Sequence, residues 1–355
     1  MLSPGIGFTS EDVARARAYH RPRRVALVVD LVLALATLAL LTRLDLPVRW
    51  WLAAILTPLV VELVLTAVRL PVSWWRHRHD RAWQLSAQGP RGWAGDAAKG
   101  AAVGAALTTA GLALLFATVH VFPRAWPLVA AAGAAALVLL LGFVAPVVLE
   151  PVFNRFRPLE DAELATRLHA LAVAAGAPVR EILVADASRR TNRQNAYVSG
   201  IGATRRVVLW DTLLAAPPDE VAVVLAHELG HRVQRHVAAL TGLAMAGAAA
   251  FVGVLRLVRP HPAPRDTALV LLLGLVLELA ALPAASALSR RFERAADRFS
   301  LTLTGDRAAF VRLHVRLGRR NLADLDPPKW LYYWLSSHPT PPERIRDSQV
   351  TPLDA

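Results

Sequence analysis

The 355-residue chain contains no cysteine. It therefore has no disulfide, no thiolate to hold a metal and no thiol to carry a lipid. Any metal must be held by histidine and carboxylate side chains. Lysine is almost absent as well, with Lys99 and Lys329 the only two. Arginine supplies nearly all of the 40 basic residues, which outnumber the 27 acidic ones and leave a formal charge of +13. This Ala- and Arg-rich, Lys-poor usage is that of a GC-rich bacterial genome. Internal repeats and low-complexity linkers are missing too, so neither a repeat array nor a flexible tether is expected.

What the chain has in excess is apolar sequence. Hydrophobic residues make up 55% of it, and the mean hydropathy is +0.38. That excess is gathered in six runs, near 25–41, 50–70, 101–122, 125–149, 237–258 and 267–288. Each is long enough, or nearly so, to cross a bilayer as a helix. The first is short and carries Asp30. Arginines precede it, as in a signal peptide, but no small-x-small cleavage site follows, and an uncleaved span is expected.

The arginines orient these spans. Arg15, Arg17, Arg21, Arg23 and Arg24 precede the first, and Arg76, Arg78, Arg81, Arg91 and Lys99 follow the second. Residues 150–236 and the tail from 289 each hold more than ten basic residues. The alternate loops hold only Arg43 and Arg49, then Arg124, then Arg259 and Arg265. The positive-inside rule puts every rich segment, both termini included, in the cytoplasm of a multi-pass plasma-membrane protein. The charge is thereby explained without a nucleic-acid partner; the lipid bilayer is the partner expected. Trp50-Trp51 and Trp74-Trp75 flank the second span as interfacial anchors. Asp30, Glu62 and Glu278 fall inside spans. They either line a polar cavity or pair between helices.

Residues 150–236 form the largest polar block. "DAELATRLHALAVAAGAP" reads as an amphipathic helix stopped at Gly176 and Pro178. "REILVAD", "NAYVSG" and "RRVVLWD" read as three short strands of a small antiparallel sheet. "PPDEVAVVLAHELGH" then starts a helix, with prolines at its head and acidic residues in its first turn.

That helix carries His227-Glu228-Leu229-Gly230-His231. Residues four apart share a helical face, with Cβ atoms about 5–6 Å apart. His227 and His231 can thus place ring nitrogens on one Zn²⁺, at about 2.0–2.1 Å. Zinc lowers the pKa of a bound water, and Glu228, beside the first histidine, can take that water's proton as it attacks a peptide carbonyl. Gly230 stands mid-helix, where intrinsic propensity disfavours it. A third histidine in the H-E-x-x-H-x-x-G-x-x-H pattern would fall on Val237, with Gln234 in the glycine position, so that route fails. His236 is one residue out of register and reads as a capping or supporting histidine. A carboxylate from a later helix is the other route. Glu293 follows the sixth span, which returns it to the side where the fifth begins. Asp297, one helical turn on, can accept from a ligand imidazole. Against this stands a charged juxtamembrane helix in which Glu293 and Asp297 pair with Arg290, Arg294 or Arg298.

HELGH, the later "ERAAD", the earlier "NAYVSG" and the terminal "SSHPTPPERI" occur in order between about 181 and 347. Together they resemble the integral-membrane zinc metallopeptidases, the type-1 CAAX prenyl proteases and HtpX-type proteases. Four spans ahead of the zinc motif resemble the CAAX branch more than HtpX, which has two there. The resemblance implies a membrane helical bundle, mainly α, of about six spans with a cytoplasmic zincin-like α+β catalytic domain. It implies one Zn²⁺ per chain on His227, His231 and Glu293, with Glu228 as general base. Asn195 and Ala196 would lie on an edge strand that pairs with substrate, His338 would stabilise the oxyanion, and Arg344 would support that region or bind substrate. There are departures. Some members of the branch read His-Pro-Pro where this chain reads His338-Pro339-Thr340-Pro341-Pro342. Six spans are expected rather than seven, since "KWLYYWL" (329–335) is too short for another and suits an interfacial helix. Bacteria generally lack prenylated CAAX substrates.

The expected organisation is a membrane region (1–149), a catalytic segment (150–236), a two-span hairpin (237–288) and a cytoplasmic tail (289–355). The expected function is zinc-dependent cleavage of peptides or membrane proteins. An HtpX-like role in quality control and a non-catalytic scaffold are the competing readings; retention of Glu228 with a full ligand set speaks against the scaffold. The orientation is testable, because no native thiol interferes. Single cysteines placed near 90 and 180 should be shielded from an impermeant thiol reagent in intact cells; labelling there would invert the topology.

Overall fold

The computed structural model describes residues 7–179, 181–199 and 206–351. Arg180, Gly200 and Arg205, at the ends of the three expected strand segments, lie outside the described residues. Four long helices come first: α1 (Ser10–Leu41), α2 (Trp50–Ala82), α3 (Pro90–Val121) and α4 (Trp126–Val144). α4 runs on through a π-helical turn at Ala145–Leu149 into the short α5 (Glu150–Phe153). Pro146 sits in that widened turn, where its missing N–H and ring bulk are more easily tolerated. After the polar segment, α8 (His236–Val258) and α9 (Thr267–Thr304) complete six helices long and apolar enough to cross a membrane. The molecule is a multispanning helical bundle joined to a small α+β unit. Leu40, Leu128 and Leu257 on these helices are 74%, 78% and 82% exposed, a surface that only lipid can cover.

The helices outrun their apolar runs. α1 starts at Ser10, capped by Thr9, although its apolar stretch begins near 25. α9 has 38 residues and so spans about 57 Å, nearly twice the hydrocarbon thickness. These polar extensions leave the membrane as rigid arms and hold the α+β unit. Of the three carboxylates inside the spans, Asp30 is paired: it takes both arms of Arg69 at 2.9 Å and Arg76 at 3.2 Å. Glu62 and Glu278 line, with Asp30 and Arg69, a cavity of about 580 Å³ between the helices. Asp30 thus fits both readings of the intramembrane carboxylates, being paired between helices and on the cavity wall, which Glu62 and Glu278 also line.

The α+β unit contains β1 (Phe156–Pro158), α6 (Ala162–Ala174), β2 (Ile182–Ala185), β3 (Ala196–Ser199), β4 (Arg206–Trp210) and α7 (Pro218–Val233). α6 begins on an Asp161 cap and ends at Gly176, whose φ is +64°. The strand order is β1-β2-β4-β3. This corrects the wholly antiparallel expectation: β4 runs antiparallel to β3 but parallel to β2, and the sheet is mixed. The chain leaves β2, passes beyond the place of β4, and returns through β3, so β4 closes the gap in the direction of β2. β1, too short to carry a sequence signature, adds an antiparallel strand on the other side. Leu209 and Leu213 pack with Leu168 of α6 and Leu225 and Leu229 of α7 in one fully buried core.

α7 and α8 are separate helices. Gln234 and Arg235 intervene, with Arg235 in the left-handed region at φ 56°. The HELGH helix therefore ends before the fifth span begins. Beyond α9 lie α10 (Arg307–Arg320), α11 (Lys329–Leu335) and α12 (Pro341–Val350). α11 exposes Trp330, Tyr333 and Trp334 and is tied to α9 by Ser286 and Arg290, which donate to the carbonyls of Trp334, Tyr332 and Ser336.

One packing detail positions the site. A Cβ on Gly230 would lie 3.1 Å from Ala296 Cα and 3.2 Å from Phe299 Cβ. The glycine lets α7 approach α9 at backbone distance, and its propensity cost is outweighed there. Gly230→Ala should destabilise the protein by about 1–3 kcal/mol through overpacking and weaken metal retention, read by thermal unfolding and metal analysis in detergent. A variant as stable and as metal-rich as the parent would show that the approach is not tight.

Candidate metal centre and substrate cleft

The helical period of α7 puts His227 and His231 on the face turned to α9. Their Nε2 atoms are 3.1 Å apart. Glu293 of α9 completes a triangle: Oε2 lies 3.3 Å from His227 Nε2, and Oε1 lies 3.3 Å from His231 Nε2. Three donors on a tetrahedral ion with arms of about 2.0–2.1 Å would be about 3.3 Å apart. Glu293 Oε2 is moreover buried with no hydrogen-bond partner. Two imidazoles and a carboxylate facing one point thus suit a cation such as zinc. Burial disfavours the His227 imidazolium, but the neighbouring carboxylates of Asp297 and Glu293 outweigh it and raise the pKa to about 9.

The surroundings orient these donors. His227 Nδ1 donates to Asp297 Oδ1 at 2.9 Å, which leaves Nε2 for the metal. Arg344 of α12 grips both oxygens of Asp297, Nε to Oδ2 at 2.7 Å and Nη2 to Oδ1. It also stands 3.8 Å from Glu293. His231 Nδ1 faces His236 Nδ1 at 3.0 Å, and the His236 ring stacks on Phe292 at 4.1 Å. His236 supports His231 rather than pointing into the triangle, in keeping with its register. Neither Glu293 nor Asp297 is taken up by Arg290, Arg294 or Arg298: Arg290 is committed to α11 and Arg294 to Asp347.

Glu228 lies on the neighbouring face of α7, toward β3. Its Oε2 accepts from Val198 N at 3.1 Å. Burial pushes its carboxyl pKa up, against the pull of His227 and His231. β3 is the outer strand of the described sheet, paired only with β4. Asn195 and Ala196 stand where it meets the cleft, with Ala196 opposite Leu209. The loop before them is pinned on both sides. Asn321, at the end of α10, exchanges two hydrogen bonds with the backbone of Gln194, at 2.9 and 3.0 Å. Arg193 donates to the Tyr19 hydroxyl at 2.6 Å, and Tyr19 donates to Asp80 at 2.8 Å. The arms of α1 and α2 thereby set the height of the strand edge. His338, after α11, lies with Nε2 3.4 Å from Glu293 Oε1 and Nδ1 2.7 Å from Ser337 Oγ. Partial desolvation in the cleft lowers its pKa, against the opposing charge of Glu293.

All nine residues singled out in the sequence, namely Asn195, Ala196, His227, Glu228, His231, Glu293, Asp297, His338 and Arg344, come together around one cleft of about 170 Å³ or directly behind it. Sequence reasoning missed the residues that form its inner wall. Phe310, Leu313, His314 and Leu317 face it from α10, at spacings that put them on one helical face. Their periodicity was readable, but nothing local told that face to pack on α7.

Comparison with known proteins agrees with this geometry. Residues 158–350 match the family model of peptidase family M48. Residues 8–155 match the CAAX prenyl protease N-terminal family, described as five membrane helices; the described residues of this range hold four long apolar ones. Among relatives, the chain is 37% identical over 226 residues to the "Uncharacterized metalloprotease YhfN" of Bacillus subtilis, covering 59% of this chain and 53% of that one. It is 32% identical over 228 residues to a CAAX prenyl protease 1 homolog of Arabidopsis thaliana, covering 59% and 53%. With CAAX prenyl protease 1 of Saccharomyces cerevisiae it shares 44% over 96 residues, covering 26% and 21%. The match thus spans about half the length of the first two relatives and about a fifth of the third. The fold is that of the crystal structure of S. mikatae Ste24p, with a TM-score of 0.83 and 24% identity over 98% of this chain and 91% of that one. With the family match extending over more than half of its length, the chain belongs to peptidase family M48.

Proposed function

We propose that the chain is a zinc-dependent endopeptidase of the plasma membrane, with its catalytic cleft on the cytoplasmic side. The single observation that carries this reading is the convergence of His227, His231 and Glu293 beside Glu228, at the outer strand of the described sheet. His227 Nε2, His231 Nε2 and Glu293 would hold the ion, which when bound supplies Lewis acidity for the scissile carbonyl and for water. The substrate, a peptide or a segment of a membrane protein, lies along β3 and adds a strand beside Asn195 and Ala196. Glu228, with a raised pKa, accepts the proton of the attacking water and passes it toward the leaving amine. His338, an N–H donor at the rim of the cleft, stabilises the oxyanion. Arg344 acts by holding Asp297, and through it the tautomer of His227.

Two variants test the assignment. Glu228→Gln should remove proteolysis, by about 10²-fold or more, while zinc stays bound; full activity would sink the mechanism. Glu293→Ala should lower zinc content in elemental analysis, and an unchanged stoichiometry would put the third donor elsewhere.

A further inference from the structure

The cleft has an inner wall that the chemistry above does not use. It is mostly apolar, formed by Leu213, Val223, Phe310, Leu313 and Leu317. Its volume suits a single side chain rather than a larger ligand. Three polar side chains, His314, Gln194 and Asn321, interrupt this surface. His314 is 4% exposed. Its Nδ1 lies 2.8 Å from Phe310 O, and because a carbonyl only accepts, that nitrogen carries the proton. Nε2 therefore presents a lone pair, with no partner among the described residues. Burial, reinforced by the charge of Arg344, lowers the His314 pKa to about 3, so the ring stays neutral. Gln194 is likewise 4% exposed. Its Nε2 donates to Thr212 O at 2.9 Å, which fixes the amide orientation and leaves Oε1 buried without a partner. The third polar residue on this wall, Asn321, has its amide engaged with the Gln194 backbone.

The wall thus holds two acceptors without a donor among the described residues, and one of them, Gln194 Oε1, is fully buried. Such groups are costly to leave unpaired. We propose that this cavity is a specificity pocket for a substrate residue flanking the scissile bond, and that it takes an uncharged side chain bearing a hydrogen-bond donor, read by His314 Nε2 and Gln194 Oε1. The inference rests on the endopeptidase reading. A carboxylate would meet two lone pairs, while Arg344 is already committed to Asp297. A cationic side chain would be desolvated beside Arg344. A purely apolar side chain would fill the space but leave both acceptors unmet.

The test uses the full chain in detergent and peptides that differ at each residue flanking the scissile bond in three pairs: Tyr against Phe, Thr against Val, and Gln against Met. kcat/KM is measured with the parent, and dissociation constants are measured by fluorescence anisotropy with Glu228→Gln. In at least one pair, the donor-bearing peptide should be favoured by about tenfold or more in both readouts. His314→Leu should bring that ratio to within about twofold. Gln194→Leu, which keeps the backbone bonds to Asn321, should reduce it as well, so the test does not depend on one variant folding. A merely structural role for His314 would lower all peptides together and leave the ratio unmoved, which would overturn the proposal. Equal or absent binding across all three pairs would overturn it too. If the parent cleaves nothing while the donor preference persists in binding, the endopeptidase reading fails and the pocket stands. Cleavage with no preference overturns the pocket and leaves the endopeptidase reading in place.

Discussion

The close packing of α7 on α9 is the constraint from which the rest follows. Metal ligands drawn from two helices must meet within a few tenths of an ångström. Ordinary helix pairs lie about 8–10 Å apart, at the lower end only where side chains at the crossing are small. Gly230 and Ala296 supply that crossing, where a Cβ on the glycine would lie 3.1 Å from Ala296 Cα, tighter than ordinary contact. His227 and His231 flank Gly230 on α7, and Glu293 and Asp297 flank Ala296 on α9. Histidine and carboxylate pairs are thereby presented to each other from rigid elements, which hold geometry better than loops do.

Such a concentration of buried charge would be costly without mutual compensation. Compensation is built in layers. Glu293 faces both histidines, Asp297 holds the back of His227, and Arg344 closes over Asp297 from α12. Each link also restricts a rotamer or a tautomer. The tail that bears Arg344 and His338 is anchored through α11, whose carbonyls accept from Ser286 and Arg290 on the same α9. One helix thus crosses the membrane, carries Glu293 and Asp297, anchors the segment that bears His338 and receives Arg344.

The membrane bundle serves the cleft in a similar way. Its helices do not stop where lipid stops. α1 and α2 continue outward and meet the loop before β3 through Tyr19, Asp80 and Arg193, while α10 holds the same loop through Asn321. A short strand open on one side would otherwise be free to shift or twist. Pinned at its start, it keeps Asn195 and Ala196 level with Glu228. The polar ends of the bundle therefore support the cleft as well as belonging to the membrane region.

What the sequence determined by itself was periodic or local. The apolar runs specify spans because a bilayer demands them, the arginine asymmetry specifies an expected orientation, and a four-residue spacing puts His227 and His231 on one helical face. Glu293 was reachable because a two-span hairpin must return to its starting side. Tertiary structure alone decided the rest. The mixed order of the sheet depends on where the chain passes after β2, which no strand pattern encodes. The break at Gln234–Arg235 has no proline or glycine to announce it. Arg344 gripping Asp297 joins residues 47 positions apart, and His314 and Gln194 reach one cleft from still more distant parts of the chain. Packing, not spacing, sets such contacts. An arginine near the end of a chain and a lone histidine on an apolar face look the same in sequence whether they serve a site or fill a core; only the neighbours that folding brings to them distinguish the two.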